Sequence, residues 1–270
     1  SFHSYPIKQI MILLIIGMLS GAWMISGVVP TMIYYGIQIM SPKFFLVSTC
    51  AICALVSVMT GSSWTTIATI GMAFLGIGDA LSVPNYWTAG AIISGAYFGD
   101  KISPLSDTTV LASSSAGVDL FSHIRYMLYT TTPSMVITLA IFFIAGFWFD
   151  GASVPNVSLY TDGLKSVFNI SLWTLLVPLI TAIMIYKKIP SLITLFMSAL
   201  VAGFMAVLMQ SETLLEVSGV EEGEILDIVR GLMTTFFGST SVETNNSALN
   251  DLVSTGGMAG MMPTVWLILC

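Results

Sequence analysis

Residues 190–209 read PSLITLFMSALVAGFMAVLM, twenty residues in a row without a charged side chain. A helix that crosses roughly 30 Å of hydrocarbon needs about 20 mostly apolar residues, so this stretch is long enough to span a bilayer. Comparable runs cover 8–25, 44–60, 130–149 and 166–186, and shorter or interrupted ones cover 29–40, 67–78, 84–99, 229–237 and 261–270. Transmembrane β-strands would be alternating segments of about 10 residues. The runs therefore predict an all-α polytopic membrane protein.

The composition supports the same class. Only 8% of the 270 residues are charged and 56% are hydrophobic, whereas a typical soluble domain carries about 25% charged residues. So few charges cannot coat a soluble domain of this size, and we expect the lipid bilayer to be the solvent for most of the surface. The formal net charge of −6 gives no reason to expect nucleic acid as a partner.

Polar breaks interrupt two of the apolar runs in the first half. Ser26-Gly27-Val28-Val29-Pro30 follows the first run and predicts a kinked or broken helix. The second break, TGSSWTT at 60–66, separates two apolar halves without any charge, which predicts the tip of a re-entrant hairpin. Its hydroxyls are candidate cation ligands, namely Ser62, Ser63, Thr65 and Thr66. The alternative is a patch of small residues that packs helix against helix.

The segment 100–109, DKISPLSDTT, is the strongest candidate site. It places two carboxylates, one amine and four hydroxyls between apolar runs, and an unpaired carboxylate inside a bilayer costs roughly 2.5–3.5 kcal/mol. Pro104 breaks the helix and frees backbone carbonyls. Carbonyl, hydroxyl and carboxylate oxygens are hard ligands that suit Na⁺, and a carboxylate that also binds H⁺ would let the two cations compete.

We assign roles to this segment as follows. Asp107 would be the exchanging carboxylate, with Ser106 and Thr108 as Na⁺ ligands and Ser103 as a further oxygen donor. Asp100 and Lys101 would form a regulatory or structural pair. In the alternative, the segment is an ordinary loop in which Asp100 and Lys101 form a surface ion pair and Asp107 caps the next helix.

The rest of the chain is less informative. Residues 118–129, VDLFSHIRYMLY, predict a separate amphipathic helix at the membrane interface, in which His123 and Arg125 are anchors. Glu243, Asn245 and Asn246 either line the cavity or belong to a solvated loop. A weak likeness between 260–270 and the opening helix predicts a first transporter repeat over 1–149. A linker loop, helices and the start of a truncated second repeat would then fill 150–270. Because the chain starts at Ser1 and stops within an apolar run, we expect a fragment.

Five segments together resemble the NhaC family of antiporters, within the wider ion-transporter superfamily: SGVVPTMIYYG (26–36), TGSSWTTIATIG (60–71), AGAIISGAYFGDKISPLSDTT (89–109), HIRYMLYTT (123–131) and STGGMAGMMPTVWLIL (254–269). The resemblance implies exchange of Na⁺ or Li⁺ for H⁺ or, in some relatives, of malate and protons for Na⁺ and lactate. It also implies a plasma-membrane protein with inverted repeats, broken helices and re-entrant hairpins, which would continue past Cys270.

Two other classes remain as alternatives. A membrane-embedded enzyme is disfavoured because the sequence contains no HExxH or GxSxG motif and only two histidines, and no resident cofactor is expected. Interrupted helices around a charged break favour a carrier over a channel. Small carboxylates stay open as substrates, and so does assembly into a homo-oligomer.

Overall fold

The computed structural model describes residues 5–149, 155–187, 189–219, 223–242, 250 and 253–269. Apart from an isolated bridge between Thr240 and Thr255, the regular structure in these ranges is helical, which confirms the all-α class. The helices are α1 (Tyr5–Ile25), α2 (Val28–Ile39), α3 (Pro42–Thr60), α4 (Ser63–Thr66), α5 (Met72–Ala80), α6 (Asn85–Ile102), α7 (Asp107–Ala116), α8 (Leu120–Gly146), α9 (Pro155–Val167), α10 (Leu176–Tyr186), α11 (Ser191–Met209), α12 (Ser211–Ser218), α13 (Ile225–Phe237), α14 (Gly257–Gly260) and α15 (Met262–Leu269).

Several of these helices have the length and hydropathy of membrane spans. Within the described ranges, Pro42–Thr60, Leu120–Phe149 and Leu192–Met209 could each cross a bilayer. Two further spans are possible if a bent pair counts as one: Ile10–Ile25 with Val28–Ile39, bent by 65°, and Tyr160–Val167 with Leu172–Tyr186, bent by 89°. The polytopic architecture with broken helices is therefore confirmed.

The chain forms two compact units. One contains Ser1–Tyr34, Ser158–Met184 and Leu192–Cys270, and the other contains Tyr35–Val157 and Ile185–Ser191. This division follows spatial contacts and does not address repeat symmetry, so the repeats at 1–149 and 150–270 stay a prediction.

The first unit contains the break between α1 and α2, which falls at Ser26 and Gly27 as the sequence predicts. Gly27 has a φ of 79°, in the left-handed region that glycine adopts without steric cost. Buried hydrogen bonds join the membrane helices of this unit: the Trp23 indole donates to Ser198 Oγ at 3.0 Å, and Ser198 also bonds the Thr181 hydroxyl at 2.7 Å. Such hydrogen bonds give buried polar side chains the partners that lipid tails cannot provide.

The same unit corrects the continuous helix expected over 166–186. The chain instead leaves α9 after Val167 and re-enters a helical conformation at Leu172. The reason is a long-range contact, because the buried Gln210 side chain pairs with both backbone groups of Asn169. The carboxamide replaces the hydrogen bonds that the break removes from the helix.

The second unit is built on a helical hairpin. Residue Gly61, with a φ of 66°, ends α3, and the chain returns along it through α4, a π-helical turn at Ile67–Gly71 and α5. The Phe45 and Phe74 rings, 6.5 Å apart, pack near the far end of this hairpin. The hairpin turn at 61–66 agrees with the sequence prediction.

In this unit α8 corrects a second expectation. Residues 118–129 do not form a separate interfacial helix before a span at 130–149, since one helix runs from Leu120 to Gly146 and continues as a 3₁₀ turn at Phe147–Phe149. No glycine or proline stands between Leu120 and Thr132, and Pro133, which follows, lies inside the helix without ending it. Asp119 begins it by accepting the backbone N–H of Ser122 at 3.0 Å.

Candidate ion-binding site

The site lies in the second unit, where close packing of α6 on α3 fixes its position. Gly95 and Gly99 are four residues apart and form a small-residue seam on α6. A Cβ on Gly95 would collide with the Cys50 carbonyl oxygen, and one on Gly99 would lie 2.5 Å from that of Ala54. Backbone therefore meets backbone along this seam, which holds the next residue, Asp100, in place.

The break between α6 and α7 covers residues 103–106, as the sequence predicts. Ser103 donates its hydroxyl to the Val58 carbonyl at 2.7 Å and thereby ties the break to α3. Thr109 contacts the Asp100 and Lys101 carbonyl oxygens at 3.2 and 3.1 Å. Part of the backbone freed by the break is thus satisfied by side chains.

The Asp100 carboxylate lies within a group of hydroxyls. Ser63 Oγ donates to Oδ2 at 2.9 Å, and Ser106 Oγ donates to Oδ1 at 2.6 Å. The Ser106 hydroxyl also lies 2.8 Å from that of Thr108. We call Ser63, Ser106 and Thr108 the hydroxyl cradle. The cradle brings the hairpin turn and the helix break, 37 residues apart at Ser63 and Asp100, into one site.

Ser106 stands at the N-terminus of α7 but does not cap this helix with its side chain. It is the N-cap residue of α7, yet its side chain makes no capping hydrogen bond, although an N-cap serine ordinarily accepts a backbone N–H of the first turn. The hydroxyl is directed to Asp100 instead. A local rule given up in this way is typical of a functional position.

A cavity of about 740 Å³ opens beside the cradle. Polar side chains at its wall come from four helices, α4, α6, α7 and α8, and are Ser63, Asp100, Lys101, Thr108, Thr109 and His123. Apolar and aromatic side chains complete it, namely Trp64, Ile67, Ile93, Tyr97, Ala112 and Met127. A polar corner facing an apolar wall is the usual composition of a small-solute site.

The remaining predicted residues have other positions. Lys101 Nζ lies 5.1 Å from the centroid of the Tyr97 ring, and within the described part of the chain no ion pair joins Lys101 to Asp100. Ser62 caps α4 by accepting the Thr65 N–H at 3.2 Å. Thr66 donates to the Ser62 carbonyl at 3.0 Å. These last contacts are internal to the hairpin turn.

Thr65 is 2% exposed, and its hydroxyl has no hydrogen-bond partner among the described residues, but it is not a cavity-lining residue. Asp107 is the first residue of α7; its side chain lies outside the described residues, as do Glu243, Asn245 and Asn246. The exchanging role assigned to Asp107 therefore stays a prediction.

The donor set around Asp100 consists of hard oxygen atoms, one carboxylate and the hydroxyls of the cradle. Carboxylate and hydroxyl oxygens suit hard cations, and each serine hydroxyl that donates to Asp100 keeps lone pairs that can face a cation. Within the described residues, no group of three or more His, Cys, Asp and Glu side chains is arranged to hold a metal ion.

Sequence reasoning missed the contribution of His123. The interface anchor predicted there stays a prediction, but His123 is also one of the residues that line the cavity. The available signal was the spacing of His123 and Met127, because residues four apart share one face of a helix. This spacing was not used, because the sequence analysis expects the membrane span to begin only at residue 130.

Comparison with known proteins places the chain in a family. The model of the Na⁺/H⁺ antiporter family matches residues 9–126 and 95–270. A malate-2H⁺/Na⁺-lactate antiporter of Bacillus subtilis is 38% identical over 98% of this chain and 54% of its own length. The Na⁺/H⁺ antiporter NhaC of Alkalihalophilus pseudofirmus is 40% identical over 97% of this chain and 54% of its own.

An arginine/ornithine antiporter of Halobacterium salinarum is 34% identical over 96% of this chain and 50% of its own length. The chain thus spans about half the length of the curated relatives it matches. No solved structure gives a significant match. On the family match and these identities, the chain belongs to the Na⁺/H⁺ antiporter family.

Proposed function

We propose that the chain forms part of a secondary antiporter that exchanges Na⁺ or Li⁺ for H⁺ across the plasma membrane. Asp100 is the carboxylate for which the two cations compete. The observation that carries this proposal is that both Asp100 carboxylate oxygens accept hydroxyl hydrogen bonds, from Ser63 and Ser106. Membership of the Na⁺/H⁺ antiporter family supports it.

The exchange follows from one negative charge serving two cations. When Asp100 is ionised, its oxygens and the cradle hydroxyls offer a site for Na⁺. When Asp100 is protonated, the charge is gone and the neutral carboxyl no longer attracts the metal ion. Binding of either cation therefore excludes the other, which couples their movements in opposite directions. The broken helices around the cradle are the type of element that changes exposure in such carriers.

The test uses the full-length protein in proteoliposomes with a trapped pH indicator. A pulse of Na⁺ or Li⁺ should move protons in the opposite direction, and Asp100→Asn should abolish the response while the protein still inserts. Asp119→Asn is the matched control, because it removes the same charge from a helix cap at which asparagine is equally effective. Exchange at the normal rate by Asp100→Asn would contradict the assignment.

Asp107 is tested beside Asp100. Its role as the exchanging carboxylate is our prediction from the sequence, with Ser103 and the hairpin hydroxyls as secondary oxygen donors. If Asp107→Asn abolishes exchange and Asp100→Asn does not, the shared carboxylate is Asp107. Loss in both variants would indicate that the two carboxylates act together.

A second candidate is exchange of small organic acids, which the cavity size favours. Its volume of about 740 Å³ far exceeds the roughly 30 Å³ of one water molecule in the liquid. Lys101, at the wall, supplies a positive charge for a carboxylate. Lys101→Ala should then abolish malate uptake. If Na⁺/H⁺ exchange persists without any organic acid and is unaffected by Lys101→Ala, this second candidate is excluded.

A further inference from the structure

We propose that two aromatic layers fix the depth of the second unit in the bilayer and that the hydroxyl cradle opens, in this conformation, to one membrane face only. The inference rests on the proposed function in that it takes the cradle as the ion-binding site, and it adds the route by which an ion reaches that site. Three features of the unit carry it: the spacing of the layers, the depth of Asp100, and the close packing on the opposite side.

One aromatic layer lies where α6 begins and α8 ends. The Trp87 ring contacts three rings there, with centroid distances of 6.3 Å to Phe142, 6.5 Å to Trp148 and 6.2 Å to Phe149. Trp148 is 72% exposed, and Tyr86 is exposed as well. Tryptophan and tyrosine side chains are enriched at the interfaces between membrane and water. We call Tyr86, Trp87 and Trp148 the tryptophan layer.

A second aromatic layer lies toward the start of α8. The rings of Tyr126 and Tyr129 pack 6.2 Å apart, and Tyr126 is 77% exposed. These tyrosines precede Trp148 by 22 and 19 residues, about 29–33 Å of helix, which matches the roughly 30 Å of hydrocarbon. The sequence has no charged residue between Tyr126 and Trp148, whereas Arg125 directly precedes the tyrosines. The two layers therefore mark the two boundaries of the hydrocarbon.

Asp100 lies between these boundaries. It follows Trp87 by 13 residues, about 20 Å along α6, so the cradle is roughly 10 Å from the tyrosine side of the hydrocarbon. The cavity covers this remaining distance, because Met127 and His123 line it about 32 and 37 Å from Trp148 along α8. At that distance His123 is past the hydrocarbon and in the headgroup region. The cavity thus connects the cradle with the water on the tyrosine side.

Toward the tryptophan layer, the described part of the unit is closely packed. The seam of Gly95 and Gly99 presses α6 against the backbone of α3. Ala91 and Ile92, one turn closer to the tryptophan layer, are buried, and so is Phe45 on α3. Close-packed interiors contain few voids larger than a water molecule. Of the two ends of the unit, the one at Tyr126 therefore gives an ion access to the cradle.

The test is cysteine labelling of the full-length protein in sealed vesicles, with a membrane-impermeant maleimide applied to one face at a time. Labelling of the unaltered protein, in which Cys50 and Cys53 are buried, gives the background. Arg125→Cys marks the face at the tyrosine layer. Asn85→Cys, at an exposed position where α6 begins, marks the opposite face.

Two further variants report on the cavity and one on the lipid. Ala112 and Met127 line the cavity from α7 and α8, so Ala112→Cys and Met127→Cys should be labelled from the face that labels Arg125→Cys. Labelling from the other face should be slower on the order of 10-fold or more, because a minor conformation is populated at about 10% or less. Ile141→Cys is the matched control. Ile141 is exposed on α8 but lies between the two layers, so we expect labelling from neither face.

Three outcomes would contradict the proposal. Equal labelling of Ala112→Cys and Met127→Cys from both faces, or faster labelling from the Asn85 face, would overturn the access route. Labelling of Ile141→Cys at the rate of Arg125→Cys would overturn the depth assigned to the unit. Labelling needs no transport, so absence of Na⁺/H⁺ exchange in the unaltered protein would refute the proposed function and not the route.

Discussion

Replacing the buried Gln210 with leucine should strongly lower the free energy of unfolding, because the Gln210 side chain holds the helix break at Asn169. Gln210 is 3% exposed. Its Oε1 accepts the Asn169 N–H, and its Nε2 donates to the Asn169 carbonyl, both at 3.0 Å. The two hydrogen bonds stabilise the non-helical segment between α9 and the 3₁₀ turn at Leu172–Leu175. Leucine is of similar size and can replace neither bond.

The magnitude follows from the groups left unpaired. A buried donor or acceptor without a partner costs about 1–3 kcal/mol, so the two Asn169 backbone groups together give about 2–6 kcal/mol. The free energy of unfolding is measured by denaturant titration of the full-length protein in detergent micelles. Glu212→Leu is the control, because the same replacement at an exposed neighbouring position should change stability by less than about 0.5 kcal/mol.

The same replacement is also measured in a protein that already carries Asn169→Ala. Asn169→Ala leaves the backbone N–H and carbonyl of residue 169 in place, so Gln210→Leu should cost as much in that background as in the unaltered protein. If the cost disappears there, the partner of Gln210 is the Asn169 side chain and the reasoning is wrong. A loss below about 0.5 kcal/mol for Gln210→Leu alone would also refute it.

Two further predictions concern the second unit. Gly99→Ala places a Cβ 2.5 Å from a backbone carbonyl oxygen of α3. It should lower exchange activity, and it should lower the free energy of unfolding by about 1–3 kcal/mol, as overpacking does. Gly90→Ala lies on the same helix with its nearest neighbouring atom 4.0 Å from the added Cβ, and it should change neither quantity. Ser106→Ala removes the 2.6 Å hydrogen bond to Asp100 and should raise the Na⁺ concentration for half-maximal exchange several-fold with little effect on insertion, so an unchanged Na⁺ dependence would exclude Ser106 from the site.

Local rules were sufficient where the signal lies within one segment. The break after α1 was predicted from Gly27 and Pro30 and the end of α6 from Pro104, and both lie where the structure has them. The turn after α3 was predicted from the uncharged hydroxyl stretch at 60–66 and also lies there. Glycine and proline alter the backbone of their own residues, so no distant contact is needed to infer their effect.

Local rules failed where a distant group decides the conformation. The segment Phe168-Asn169-Ile170-Ser171 contains neither glycine nor proline, and its break is held by Gln210, 41 residues away. Conversely, α8 continues through the segment expected to be a separate interfacial helix. One face of this segment lines the cavity through His123 and Met127.

The candidate site shows the same division. The types of residue were identifiable from DKISPLSDTT at 100–109 and from the hydroxyls at 62–66, because hard oxygen ligands between apolar runs are costly unless they are used. Their pairing was not identifiable. The structure directs Ser63 and Ser106 to Asp100, for which the sequence predicts a regulatory or structural pair with Lys101. It also turns Ser62 and Thr66 inward to stabilise the hairpin turn.

The sequence by itself determined that this is a helical membrane protein with interrupted spans, because hydrophobic length and backbone-breaking residues are properties of short segments. Which polar groups meet was decided only by tertiary structure. The seam of Gly95 and Gly99 brings α6 against α3, and the hairpin then brings Ser63 to Asp100. A contact between residues 37 positions apart depends on how helices pack, and helix packing is set by side-chain shape across elements and not by the order of residues within one.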